Sequence, residues 1–155
     1  MKIVIAAVGQ KLPAWANDAV QEYLARMPKD FGVRLREIRP EARNGQPVAR
    51  LQAAEATRLR AALTPDSLVV AMDETGRDWT TVQLAQALSQ WRDSALEPVF
   101  LIGGADGLDP ELKAQAKVTL RLSSMTLPHA LARVVLVEQI YRAWSILNSH
   151  PYHRS

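Results

Sequence analysis

The sequence predicts an α/β fold, a mainly parallel sheet flanked by helices. Three observations carry that reading. Apolar strand-like runs alternate with helix-like periodic runs along the chain. The strand-like runs stop at glycine or at short polar turns, and prolines mark helix ends. No repeat, low-complexity tract or linker interrupts the alternation, so residues 1–155 read as one domain.

Ile3–Val8 is a buried-strand run that ends at Gly9. Pro13 opens a helix with Trp15, Ala19, Tyr23 and Met27 about four residues apart on one face, and Pro28 ends it. Residues 33–38 alternate apolar Val33 and Leu35 with Arg34 and Arg36, a strand with one exposed basic side. Residues 40–47 (PEARNGQP) form a loop expected to be mobile or to face RNA. Helix returns over 48–63, a buried strand over 68–72, a polar turn over 73–78 around Gly76, and a helix from Thr80 to about Asp93 capped by Thr80 or Thr81. A further strand, Val99–Ile102, stops at Gly103-Gly104. Paired glycines at a strand end let a backbone or a flat ligand come close.

The last helix, His129 to about Leu147, is apolar on more than one side. Val134, Val137, Tyr141 and Trp144 cluster together, Leu136, Ile140, Ala143 and Leu147 occupy the next side, and only Glu138, Arg142 and Ser145 make a polar stripe. One sheet face covers a single apolar stripe. The remainder is expected to be covered by other elements or by a second copy of the chain, and a homodimer is the preferred expectation.

Composition excludes several classes. There is no cysteine, hence no disulfide framework, thiolate metal site or thiol nucleophile. His129, His150 and His153 stand in no zinc-ligand spacing, so no metal is expected. No apolar run is long enough to span a bilayer, and the N-terminal run lacks signal-peptide features; a cytoplasmic protein without membrane association is expected. The formal net charge is +3, with basic residues crowded into the N-terminal part and the C-terminal quarter. That distribution suits a nucleic-acid partner.

Neither G-x-G-x-x-G opening a helix nor G-x-x-x-x-G-K-[ST] occurs, so phosphate cradling is not supported. A pocket built from Met72 at one strand end, Gly103-Gly104 at another and residues 123–128 at a third would offer backbone N–H and C=O groups with apolar walls, a setting for an adenine ring and a thioether. The plain alternative is that Gly103, Gly104 and Gly107 only make tight turns and Ser123 and Ser124 only cap a helix.

The segments LIGGADGL, LSSMTLPHALARVVLVEQIYRAWSI and NSHPYHR, together with KIVIAAVGQKLPAW, EYLARMPKDF and MDETGRDW, resemble the ribosomal RNA large-subunit methyltransferase H family, a branch of the SPOUT methyltransferases. The likeness runs the length of the chain. Met72 stands where leucine is common, and Ala105-Asp106 where proline–glutamate is common. The resemblance implies a C-terminal trefoil knot, a homodimer, and transfer of a methyl group from S-adenosylmethionine to N3 of a pseudouridine in large-subunit ribosomal RNA, free or in the assembled ribosome. It further implies that Met72, Gly103, Gly104, Ser123, Ser124, Met125, Thr126, Leu127 and Pro128 hold the cofactor. A side chain added at Gly104 is expected to enter that pocket.

For the acceptor, His129, Arg142 and Arg154 are the candidate catalytic groups, and Arg133, Tyr152 and His153 the candidate RNA contacts. His129 also fits a hydrogen-bonding role at a helix start. The tail, interrupted at Pro151, blends aromatic, imidazole and guanidinium groups suited to base stacking and phosphate contact, and is expected to add little to any core. A non-catalytic RNA- or ribosome-binding factor, or an enzyme using another nucleotide, are the competing classes; the missing fingerprints weigh against the latter.

Overall fold

The computed structural model describes residues 1–9 and 11–154. Its elements run β1 (Lys2–Val8), α1 (Ala14–Arg26), β2 (Gly32–Ile38), α2 (Val48–Arg60), β3 (Ser67–Asp78), α3 (Thr81–Asp93), β4 (Glu97–Ile102), α4 (Pro110–Gln115), β5 (Val118–Arg121) and α5 (His129–Leu147). The five strands form one parallel sheet in the order β2-β1-β4-β3-β5.

β1 shows why both sheet faces must be covered. Ile3, Ile5 and Ala7 point into a core shared with α1, α3 and α5, while Val4, Ala6 and Val8 point into one shared with α2 and α4. A strand buried on both sides reads as a continuous apolar run, as this one does. Chain moves toward β2 or from β3 to β4 pass through the α1/α3 face, and moves in the other direction pass through the α2/α4 face. All four crossovers therefore share one hand, as parallel units require. α3 opens on a capping box, Thr80 Oγ1 accepting from the Gln83 N–H and Gln83 Oε1 from the Thr80 N–H.

Several expectations need correction. The polar turn over 73–78 is part of β3: Met72 and Arg77 both stand opposite Leu120, so Asp73–Gly76 are extruded as a large bulge. A Cβ on Gly76 would lie 2.5 Å from the Leu120 carbonyl carbon, which only glycine avoids. α4 has no counterpart in the sequence reading, and of β5 only a strand end ahead of residues 123–128 is expected; at six and four residues both are too short for a periodic signal. On α1 the buried face centres on Ala16 and Val20, leaving Trp15 55% exposed.

α5 lies in the layer with α1 and α3 and buries Leu136, Val137, Ile140, Tyr141 and Ala143 within its own chain. Its expected polar stripe is not fully solvated, since Ser145 is wholly buried. Leu131 is exposed, and Val134, Val135, Trp144, Ile146 and Leu147 are half-buried. No helix among the described residues is long and apolar enough to cross a membrane.

Candidate active site

A cavity of about 590 Å³ opens at the carboxyl ends of β3, β4 and β5, where ligands bind in open α/β sheets. Three loops wall it: the β3 bulge, the β4–α4 loop, and the segment from β5 to α5. Of the residues singled out in the sequence, Met72, Gly103, Gly104, Ser123, Met125, Thr126 and Leu127 line it. Ser124 and Pro128 fall outside the lining; Ser124 is exposed, and Pro128 serves as the N-cap of α5.

The glycine loop is tightly closed. The Gly107 N–H donates to the Gly104 carbonyl at 3.0 Å, with Gly107 at a left-handed φ of 77°. A Cβ on Gly103 would meet the Gly107 carbonyl carbon at 2.5 Å and the Leu108 nitrogen at 2.7 Å. At Gly104 the Cβ direction overturns the expectation: it points at Val8 Cγ1 (3.1 Å) and Glu55 Oε1 (3.2 Å), into the packing behind the loop. The loop is also fastened from outside, Arg43 pairing with Asp106 at 2.7 Å and Gln52 Nε2 donating to the Asp106 carbonyl at 2.8 Å.

The wall also carries charged groups that the sequence patterns do not single out. Asp73 accepts hydrogen bonds from the Thr75 N–H and hydroxyl and pairs with Lys113 at 3.4 Å. Burial works to raise its pKa, but Thr75 and the Lys113 ammonium outweigh that and hold the carboxyl below its ordinary value. Glu74, Asp106, Lys113 and Arg121 line the same space, with Arg121 in a two-pronged pair with Asp78 (2.6 and 2.7 Å). Lys113 sits on a helix too short to read from its periodicity, and Asp73 in a bulge whose polar residues read as a turn. The MDETG run is a sequence signal for Asp73 and Glu74, and it does not reach Lys113.

His129 lines the cavity, but its lone pair is engaged. Arg133 Nε–H donates to His129 Nε2 at 2.8 Å, which leaves the ring proton on Nδ1. Burial lowers the His129 pKa, the Arg133 cation lowers it further, and a hydrogen bond with the Gly103 backbone pulls the other way. A neutral imidazole so arranged is a positioned hydrogen-bonding group rather than a free base.

Arg133 is a second correction. It is 1% exposed, donating also to the Gly9 carbonyl (3.0 Å) and to Glu37 (3.3 Å), so it is no RNA contact in this arrangement. Helical spacing shows only an arginine on an otherwise apolar helix; its partners come from β1 and β2, which no local pattern reveals.

The remaining candidates gather elsewhere. Arg142 stands thirteen residues after His129 on α5, roughly 20 Å along the axis. Its Nε–H donates to Glu138 at 2.9 Å and its guanidinium lies 5.0 Å from the Tyr152 ring centre. The Tyr152 hydroxyl donates to Glu138 (3.0 Å) and meets the Tyr23 hydroxyl (3.0 Å); burial first, then these two partners, raise its pKa. His153 Nδ1 is 2.9 Å from the Ser145 hydroxyl, and Arg154 is exposed. The tail is thus packed, contrary to expectation: Tyr152 sits edge-on to Tyr141 (4.7 Å) and His150 lies 5.1 Å from Trp144. Among the described residues, no group of His, Asp or Glu forms a metal-binding cluster.

A family model described as "Predicted SPOUT methyltransferase" matches residues 1–153. The chain is 56% identical over 156 residues to "Ribosomal RNA large subunit methyltransferase H" of Burkholderia ambifaria (strain MC40-6), each covered in full. It belongs to that family of SPOUT methyltransferases. The same name is carried by a relative from Burkholderia thailandensis, 54% identical with full coverage of both chains. Among solved structures, a probable methyltransferase from Bordetella pertussis superposes with a TM-score of 0.60 at 17% identity, over 92% of this chain and 95% of that one. A probable methylase family protein from Haemophilus influenzae gives 0.58 at 14% identity, over 99% and 70%. These two likenesses concern the fold. This methyltransferase thus has the architecture its sequence announced, with the cavity at the strand ends.

Proposed function

We propose that this methyltransferase transfers a methyl group from S-adenosylmethionine to N3 of a pseudouridine in 23S ribosomal RNA, in the cytoplasm and as a homodimer. The observation that carries the reading is the backbone-rich cavity at the ends of three strands, in a chain 56% identical throughout to a protein named as a ribosomal RNA large subunit methyltransferase. The cavity fits the cofactor on its own chemistry. Met72, Ile102, Leu122 and Leu127 give apolar walls for an adenine and a thioether, the Gly103–Gly107 backbone offers amide groups, and Asp73, Glu74 and Lys113 match a cationic, zwitterionic methionine end. The cofactor supplies an electrophilic methyl on sulfur; N3 forms the new bond, sulfur keeps the electron pair, and the N3 proton leaves. The chain's part is to align the two partners and shield them from water.

Within one protomer, Arg142 and the tail lie too far along α5 to reach that cavity. A second copy that sets its tail over the first copy's cavity reconciles the two groups, and the exposed Leu131 with half-buried Val134 and Val135 gives α5 apolar surface for it. There Arg142 or Arg154 stabilises the developing ring anion, and Tyr152 and His153 hold RNA. The segment 122–128 leaves the β5 edge and delivers His129 to the ends of β1 and β4, a path consistent with the C-terminal trefoil knot.

Calorimetry with S-adenosylhomocysteine and nucleoside mass spectrometry of ribosomal RNA treated with enzyme and cofactor test the reading. Binding with a new N3-methylpseudouridine is expected. No cofactor binding and no new nucleoside would leave a non-catalytic RNA-binding factor instead.

A further inference from the structure

Residues 34–60 carry seven arginines and three glutamates, an excess of four in a chain whose whole excess is three. The fold gathers several of them along one edge. β2 is an outer strand, paired among the described residues only with β1. Val33 and Leu35 pack into the α1/α3/α5 core, so strand alternation sends Arg34 and Arg36 to the opposite face, the one on which Ile38 meets the α2/α4 core. Both arginines are exposed. Arg58 of α2 reaches the same edge, its Nη1 donating to the Arg39 carbonyl at 2.9 Å.

The acids of this region are already engaged. Glu37 pairs with Arg133, Glu41 with Arg58, and Glu55 is buried behind Gly104. Among the described residues, the side chains of Arg34, Arg36 and Arg50 make no ion pair and no hydrogen bond. Charge on an outer strand guards against edge-to-edge pairing. Guarding requires neither arginine at both positions nor further arginines on the neighbouring helix. Guanidinium forks side by side, with no carboxylate between them, complement a row of phosphates.

We propose that the β2 edge and the adjoining flank of α2 dock the sugar–phosphate backbone of RNA outside the nucleotide that is modified. The surface lies on the α2/α4 side of the sheet, away from α5 and its tail, so it holds a different stretch of the substrate. The proposal rests on the ribosomal RNA reading above and adds a second contact region to it.

The test is fluorescence anisotropy of a labelled oligouridylate against wild type, R34A/R36A, and the control R77A/R92A, which removes equal charge from β3 and α3. Removing two phosphate-binding arginines should lower the slope of log K against log salt by about 1.4, with affinity near 0.1 M salt down roughly tenfold or more. The control should stay within about threefold, and calorimetric binding of S-adenosylhomocysteine should not change in either variant. Unchanged RNA affinity and slope in R34A/R36A would overturn the proposal, as would an equal loss in the control. So would wild type that ignores the oligouridylate but retains polyglutamate through these arginines, which would mark an acidic protein as the partner. Methylation of ribosomes by wild type is measured in parallel. Its absence alongside arginine-dependent RNA binding would sink the enzymatic reading and leave this surface standing.

Discussion

Replacing Gly103 by alanine should damage the cavity far more than the same change one residue later. The added Cβ would lie 2.5 Å from the Gly107 carbonyl carbon and 2.7 Å from the Leu108 nitrogen, both backbone atoms. Carbon atoms rest about 3.5–4.0 Å apart, so the loop must open by about 1 Å. Overpacking of this kind costs roughly 1–3 kcal/mol, a fall in melting temperature of several degrees for a domain of this size. A shift of about 1 Å in a positioning loop can cost on the order of a hundredfold in activity, and cofactor affinity should fall tenfold or more. At Gly104 the obstructing atoms are the Val8 and Glu55 side chains at 3.1 and 3.2 Å, which yield by a few tenths of an ångström. Gly104→Ala should therefore keep most of its affinity. Titration calorimetry with S-adenosylhomocysteine beside thermal unfolding separates the two. Affinity of Gly103→Ala within twofold of wild type, or equal losses in the two variants, would refute the packing account of this loop.

Arg133→Met should destabilise the protein by about 2–3 kcal/mol, at the low end for a broken buried pair because Glu37 is half in water; denaturant unfolding reads this directly. The same variant should raise the His129 titration midpoint, since it removes the cation that disfavours the imidazolium, and NMR of the histidine ring protons checks the direction. Because the folded-state pKa of His129 is depressed, its unfolded form takes up the proton first, so the wild type should lose stability as pH falls below about 6.5. His129→Gln should remove that part of the pH dependence, and an unchanged profile would contradict it. Truncation after Ser149 should lower stability by roughly 1–3 kcal/mol, because Tyr152 and its hydroxyl partners pack on Tyr23 and Tyr141. Cofactor affinity should change little, while single-turnover methylation of ribosomes should fall steeply; equal rates would remove the tail from the acceptor site.

The features legible in the sequence are those whose cause is local. β1 reads as a strand because both of its faces are apolar, α3 begins where Thr80 and Gln83 cap each other, and α5 begins where Pro128 fixes the backbone. The glycine pair at the end of β4 marks a loop that lines the cavity, and Gly103 admits no side chain. What stays hidden depends on distant partners. Arg133 reads as a surface residue because Gly9 and Glu37 lie more than ninety positions away. Ser145 belongs to a polar stripe until the tail returns to cover it with His153. The β3 bulge looks like a loop because its residues are polar, yet the strand resumes at Arg77 against β5, itself too short for its start to be read.

The cavity is walled by the β3 bulge, the loop after β4, the segment after β5 and the first residues of α5. A chain made from its N-terminus can pair β1 to β4 before any of the last wall exists, since β5 and α5 come after them. The enclosure closes only when α5 is laid beside α1 and α3, with Arg133 on the Gly9 carbonyl and His129 on the Gly103 backbone. A ligand held by all these walls therefore recognises the finished topology and no earlier one, and its binding free energy is added to the stability of that state alone. During synthesis or refolding, cofactor capture becomes a clock for the final docking step, reporting on a helix that the sheet does not need for its own strand pairing.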